Sequence, residues 1–132
     1  VRPWRGTVPL AALALLSCFS EAPVGVAPPD ADVVVVDMTD GLTFAPAHVE
    51  IRAGQTIRWR NVSATIHTST GDPDLAADPS SVSLPEGAST WHSGDLSPGA
   101  VFELRLDVAG DYRYTCLPHE SAGMTGTIRV LP

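Results

Sequence analysis

The sequence predicts an all-β fold, a sandwich of two sheets built from seven to eight short strands. Three observations point there. Short runs rich in Val, Ile, Leu and Thr alternate apolar and polar residues with period two, as in Thr56-Ile57-Arg58-Trp59-Arg60 and Phe102-Glu103-Leu104-Arg105-Leu106-Asp107. Gly and Pro, 11 and 12 residues, fall between these runs and break them at short intervals. Beyond the first twenty residues no long apolar stripe has the helical period. A chain of 132 residues suits one domain of ordinary size, which argues against a multi-domain enzyme.

In chain order, the apolar run Val33 to Val36 and on to Met38 reads as a well-buried strand turned by Thr39-Asp40-Gly41. His48 to Arg52 alternates, Ala53-Gly54 turns, and Thr56 to Arg60 alternates again with Ile57 and Trp59 inward, which predicts an antiparallel pair. Ile66 to Thr70 is β-branched and continues the pattern. Residues 71–88 are polar and acidic and hold three prolines; eighteen residues is long for a loop in a compact domain, so a short helix or strand is expected inside it. Strand signals resume at Ser89 to Ser93, turn at Gly94 to Gly99, and return in Phe102 to Asp107 as a half-solvated strand. After Gly110, Tyr112, Tyr114 and Cys116 share one face, and Gly126 to Val130 closes the domain.

The formal net charge is −7 and the chain has no lysine. Arg2 and Arg5 lie in the first five residues; without them six Arg face fifteen Asp plus Glu, a net −9. Such a surface repels nucleic-acid phosphates and favours partners with basic docking surfaces. Val1-Arg-Pro-Trp-Arg followed by the apolar run Val8 to Phe19 has the order of a secretory signal. That run is too short for the roughly 20 residues that span a bilayer. Leu15-Leu16-Ser17-Cys18 resembles a bacterial lipobox, with conventional cleavage just beyond it as the alternative. The expected organisation is therefore a signal segment at 1–18, a flexible Pro/Ala/Gly-rich tether at 19–31 and a folded domain at 32–132. Export to the periplasm or another extracytoplasmic compartment follows, with the membrane reached only through a lipid on Cys18.

That leaves Cys116 as the single thiol of the mature domain, although exported proteins usually pair their cysteines. Its neighbours are Leu-Pro-His119-Glu-Ser-Ala-Gly-Met124, so a thiolate, an imidazole and a thioether lie within nine residues, in a segment that must reverse between two strands. A fourth ligand must come from elsewhere, and His67 is well placed to supply it. Soft thiolate and thioether suit Cu(I) and imidazole suits both copper oxidation states, whereas zinc would more often take a second Cys or His. One copper ion at His67, Cys116, His119 and Met124 is the expected cofactor.

Several stretches carry a family resemblance: Phe44-Ala-Pro, Gly54 to Asn61, His67, Ser93-Gly-Asp-Leu-Ser-Pro-Gly99, and Gly110 to Gly126 with its Cys-x2-His-x4-Met spacing. In these, residues 32–132 resemble the plastocyanin/azurin family of small blue copper proteins. The resemblance implies a Greek-key β-sandwich of cupredoxin type, a type 1 copper site with His67, Cys116 and His119 as strong equatorial ligands and Met124 as the long axial one, and electron exit along the edge of His119. It implies a monomeric one-electron carrier that cycles Cu(I)/Cu(II) between redox partner proteins and is not an enzyme; a copper-delivery protein is the alternative. Two departures are noted. Thr68 follows His67 where plastocyanin has Asn, which bears on the hydrogen bonds to the Cys116 sulfur. Trp91-His92 stands where many members have Phe-Asp, so Trp91 is expected inside and His92 outside, with no metal role for His92 or His48.

Overall fold

The computed structural model describes residues 32–132, so the signal, lipobox and tether readings at 1–31 lie outside the described residues. Nine strands form two sheets: β1 (Val33–Met38), β2 (Phe44–Ala45), β3 (His48–Arg52), β4 (Thr56–Asn61), β5 (Thr70–Gly71), β6 (Trp91–His92), β7 (Val101–Arg105), β8 (Gly110–Thr115) and β9 (Thr125–Leu131). One sheet has the order β2-β1-β4-β7, the other β3-β9-β8-β5-β6. The expected sandwich is present, with one or two more strands than the sequence count because β2, β5 and β6 are only two residues long. The polar stretch 71–88 contains a single 3-10 turn, Pro79–Ser81, opened by Asp78, whose carboxylate accepts from the Ser80 N–H.

The expected antiparallel pairing of His48–Arg52 with Thr56–Arg60 is corrected. The two strands belong to different sheets: β3 runs parallel to β9, and β4 lies between β1, parallel, and β7, antiparallel. At Ala53-Gly54 the chain crosses from one sheet to the other, where the Ala53 N–H donates to the Leu131 carbonyl and the Gly54 N–H to that of Leu106. A hairpin and a sheet-to-sheet corner both need a short turn between two alternating runs, so the pattern alone does not distinguish them.

The core lies between the sheets and is made by the inward positions of each strand: Val36 and Met38, Val49 and Ile51, Ile57 and Trp59, Tyr112 and Tyr114, Ile128 and Val130. Each such side chain contributes roughly 1.5–3 kcal/mol by leaving water. Trp59 packs edge-on to Tyr114 at 5.4 Å between ring centres, and Phe44 lies 4.6 Å from Tyr114. The Tyr114 ring fills the space over Gly126, where an added Cβ would sit 2.4 Å from its ring and hydroxyl atoms, so β9 needs glycine at that point. On the solvent face of the first sheet, Arg58 pairs with Glu103 and Arg60 with Asp37, each directly opposite its partner. No helix among the described residues is long and apolar enough to cross a membrane.

Candidate metal centre

β8 delivers Cys116 to one end of the sandwich. Pro118 lacks an N–H and cannot continue a ladder, so the chain turns through a 3-10 segment, Leu117–Ala122. Gly123, at φ 79°, ends that segment in the left-handed region that glycine tolerates best. The loop is closed by its own backbone. The Cys116 N–H donates to the Met124 carbonyl at 3.0 Å, the His119 N–H to Cys116 O at 3.1 Å and the Met124 N–H to His119 O at 3.2 Å. Cys116 and Met124 are buried, and His119 is half-buried between them.

His67 arrives from the other side, outside the named strands, held by a two-way backbone bridge to Leu96. Buried Asn61 shapes the segment before it. Its Nδ2 donates to the carbonyls of Thr65 and Leu96, and its Oδ1 accepts from the Ser63 N–H at 2.9 Å and the Ser63 hydroxyl at 2.7 Å. This fixes the His67 tautomer. The Ser63 hydroxyl has one proton, and it faces the acceptor-only oxygens of Asn61 and Thr65; toward His67 Nε2, 2.9 Å away, Ser63 Oγ must therefore accept. Nε2 carries the proton, and the lone pair of Nδ1 points at Cys116. Burial and the neighbouring His119 both push the His67 ring below its ordinary value, which favours its neutral form.

The donors converge. Cys116 Sγ lies 3.6 Å from His67 Nδ1 and 3.4 Å from His119 Nδ1, and the donor atoms of all three residues lie within 4.8 Å of one another. An ion with metal–sulfur and metal–nitrogen bonds of about 2.3 and 2.0 Å at a tetrahedral angle would hold S and N about 3.5 Å apart. The donor set is that of a soft, redox-active metal. Burial pushes the Cys116 thiol up. The N–H groups of Thr68 and His119 and the Thr68 hydroxyl act in the opposite sense. A bound cation would add the positive charge that turns the balance to thiolate.

The Thr68 departure leaves a sulfur hydrogen bond in place, because the Thr68 backbone N–H makes it, at 3.3 Å. The Thr68 hydroxyl accepts from the Leu117 N–H at 2.9 Å and so ties the His67 segment to the start of the ligand loop. Trp91 is buried and His92 exposed as expected; His48 is exposed on β3, its Nδ1 on the Thr127 hydroxyl. Sequence reasoning missed Ser63 and Glu120. Burial alone would raise the Glu120 carboxyl, but the N–H groups of Asp78 and Ala77 and the Ser81 hydroxyl together bring it below its ordinary value. Glu120 thereby pins the 77–81 segment against the ligand loop.

The comparisons with known proteins meet this geometry directly. Residues 31–131 match the model of the copper binding proteins of the plastocyanin/azurin family. The chain belongs to that family. Plastocyanin of Scenedesmus fuscus is 38% identical over 93 residues, covering 67% of this chain and 87% of that one. Chloroplastic plastocyanin of Pisum sativum is 36% identical over 95 residues, 68% of this chain but 52% of the relative, so the chain spans about half of that protein's length. Among solved structures, a Cu(I) amicyanin variant superposes with a TM-score of 0.58 at 21% identity, over 75% of this chain and 82% of that one. A copper-containing nitrite reductase from Thermus scotoductus superposes with a TM-score of 0.59 at 24% identity, over 75% of this chain and 22% of the reductase. These two likenesses show the cupredoxin fold. The cofactor of the plastocyanin/azurin family is copper, and the converging donors fit it.

Proposed function

We propose that this family member is a one-electron carrier whose copper is held by His67 Nδ1, Cys116 Sγ and His119 Nδ1, with Met124 as the long axial ligand. The observation that carries the reading is the convergence of one buried thiol and two imidazole Nδ1 atoms 3.4 and 3.6 Å from it, at the end of a closed loop. When bound, copper supplies a one-electron Cu(I)/Cu(II) couple. The chain holds the ligands just beyond the end of β8, on the bridged His67 segment and in the backbone-closed loop, so their positions change little between oxidation states. The half-buried edge of His119 is the group of this set nearest solvent and serves as the electron's way out.

The enzyme reading is weaker, because the match to a copper reductase covers only 22% of that protein. Copper delivery uses the same ligands but requires the ion to exchange, and the burial of Cys116, His67 and Met124 opposes that. A copper(II)-loaded preparation should be intensely blue through charge transfer from the Cys116 sulfur, and Cys116→Ser should bleach it. A colourless copper-bound wild type would overturn the assignment, and rapid copper release to a chelator would favour delivery.

The finer reading is of a copper domain at 32–132 that is monomeric, extracytoplasmic, preceded by a signal and tether, and lipidated at Cys18. Intact mass of the membrane fraction should then show a diacylglyceryl adduct on a chain starting at Cys18; a soluble chain beginning later leaves ordinary secretion. Its redox partner is basic. Support comes from acids around the site, Asp40 facing His67, Asp95 facing Cys116, and Glu120 with its partner Asp78, while four arginines are committed to ion pairs with Glu103, Asp37, Asp107 and Asp111. The second-order rate with a basic partner should fall steeply as salt rises to about 0.1 M, where screening reaches about 10 Å. A salt-insensitive rate would assign docking to apolar contacts around His119.

A further inference from the structure

We propose that His92 is a positioning residue of the metal centre, acting through the hydroxyls of Thr70 and Thr68 on the Cys116 sulfur, so that the potential of the bound copper follows the protonation of an exposed ring. The proposal rests on the copper reading above and concerns residues that reading leaves idle. His92 is exposed, on the edge strand β6, and its Nδ1 lies 2.9 Å from Thr70 Oγ1. Thr70 Oγ1 lies 3.0 Å from Thr68 Oγ1, both buried. Thr68 then touches the centre two ways: its N–H donates to Cys116 Sγ at 3.3 Å, and its hydroxyl accepts at 2.9 Å from the N–H of Leu117, the residue next to Cys116.

The direction of this chain depends on one proton. With His92 neutral and its proton on the solvent-side Nε2, the Thr70 hydroxyl donates to Nδ1 and the Thr68 hydroxyl donates to Thr70. With His92 protonated, Nδ1–H donates to Thr70, Thr70 donates to Thr68, and Thr68's own proton is freed toward the Cys116 sulfur. A second hydrogen bond on that sulfur draws charge from the thiolate and favours the reduced ion, so the potential rises on acidification. By linkage the reduced protein binds the His92 proton more tightly by the same factor. Among the described residues β6 has one neighbour in the sheet, β5, whose Thr70 and Gly71 carry no charge. The charged groups in the flanking segments are Asp72, Asp74, Glu86 and Asp95, and Arg113 on β8 lies beyond β5.

The test is the reduction potential of the copper-loaded protein from about pH 5 to 8, the range in which a histidine changes charge. The wild type should show a step of about fivefold in proton affinity between the oxidation states, which at 59 mV per tenfold is about 40 mV. His92→Asn should remove the step. Thr70→Val should remove most of it although the imidazole remains, and Thr70→Ser should restore it, with the blue band kept in all three. A step of wild-type size in Thr70→Val would assign the effect to charge through space and overturn the relay; a wild type with no step that His92→Asn removes would also overturn it. If Thr70→Val does not fold, salt decides: at about 1 M the field of an exposed charge is screened within about 3 Å, so a His92-dependent step that survives supports the relay and one that vanishes overturns it. A protein that binds no copper, or binds it without colour, would instead defeat the copper reading itself.

Discussion

The two halves of the metal centre are built by opposite means. The His67 half is held by side chains: Asn61, Ser63, Thr68 and Thr70 are all buried and bonded to one another or to the ligands. The Cys116–Met124 half is held by backbone, through the three loop-closing bonds, and its residues 121–123 are exposed. The difference teaches where sequence change is tolerated. Side chains in the first half have no substitutes, because each satisfies a partner that is itself buried. In the loop the closing bonds are made by any residue that can follow the turn, so only the ligands, Pro118, Gly123 and the pinning Glu120 are constrained.

The largest effect expected from breaking this asymmetry is in Asn61→Ala. It takes one donor each from the Thr65 and Leu96 carbonyls and leaves the buried Ser63 N–H without its acceptor, and should cost about 1–3 kcal/mol of stability in urea unfolding of the metal-free protein. Ser63→Ala comes next. It removes the nearer of the two hydroxyl oxygens facing His67 Nε2, leaving Thr65 Oγ1 at 3.2 Å, and should weaken copper binding by about 10-fold with a smaller loss of stability.

A third expectation is a pH window for the metal-free protein. Burial depresses His67, so its contribution is present above the ordinary 6.5 and is lost as pH falls below that. Burial raises Cys116, so its contribution is present below the ordinary 9.0 and is lost as pH rises beyond it. Stability should be greatest between these values, each limb changing by at most about 1.4 kcal/mol per pH unit. A flat profile would place neither group in a desolvated site. The smallest effect is expected on the loop side. Glu120→Gln replaces one of the acceptors facing Ala77, Asp78 and Ser81 with a donor, and should cost under about 1 kcal/mol while speeding amide exchange at Ala77 and Asp78.

How much of this is legible in the sequence divides along the same line. The loop ligands stand within nine residues, so Cys116, His119 and Met124 can be read from spacing, and Phe102 to Asp107 or Thr56 to Arg60 can be read as strands from period two alone. The supporting half cannot. Ser63, Thr70 and His92 are ordinary polar residues in sequence, and their bonds arise only when β5, β6 and the Asn61 segment are brought together by the sheets. The pairing of β3 and β4 is hidden for a related reason: an alternating strand states which face it buries and not which strand lies beside it.

The parallel course of β1 and β4 also sets the polarity of the whole domain. β1 reaches the metal end at Met38, whose carbonyl accepts from the Val62 N–H, while at its other end the Asp32 carbonyl accepts from the Thr56 N–H. β9 starts beside Met124 and runs seven residues, about 20 Å, to Leu131, which meets Ala53 at the same remote end as Asp32. The domain therefore has a handle and a working tip at opposite poles. Asp32, where the described residues begin, lies at the handle, and His119 lies at the opposite tip.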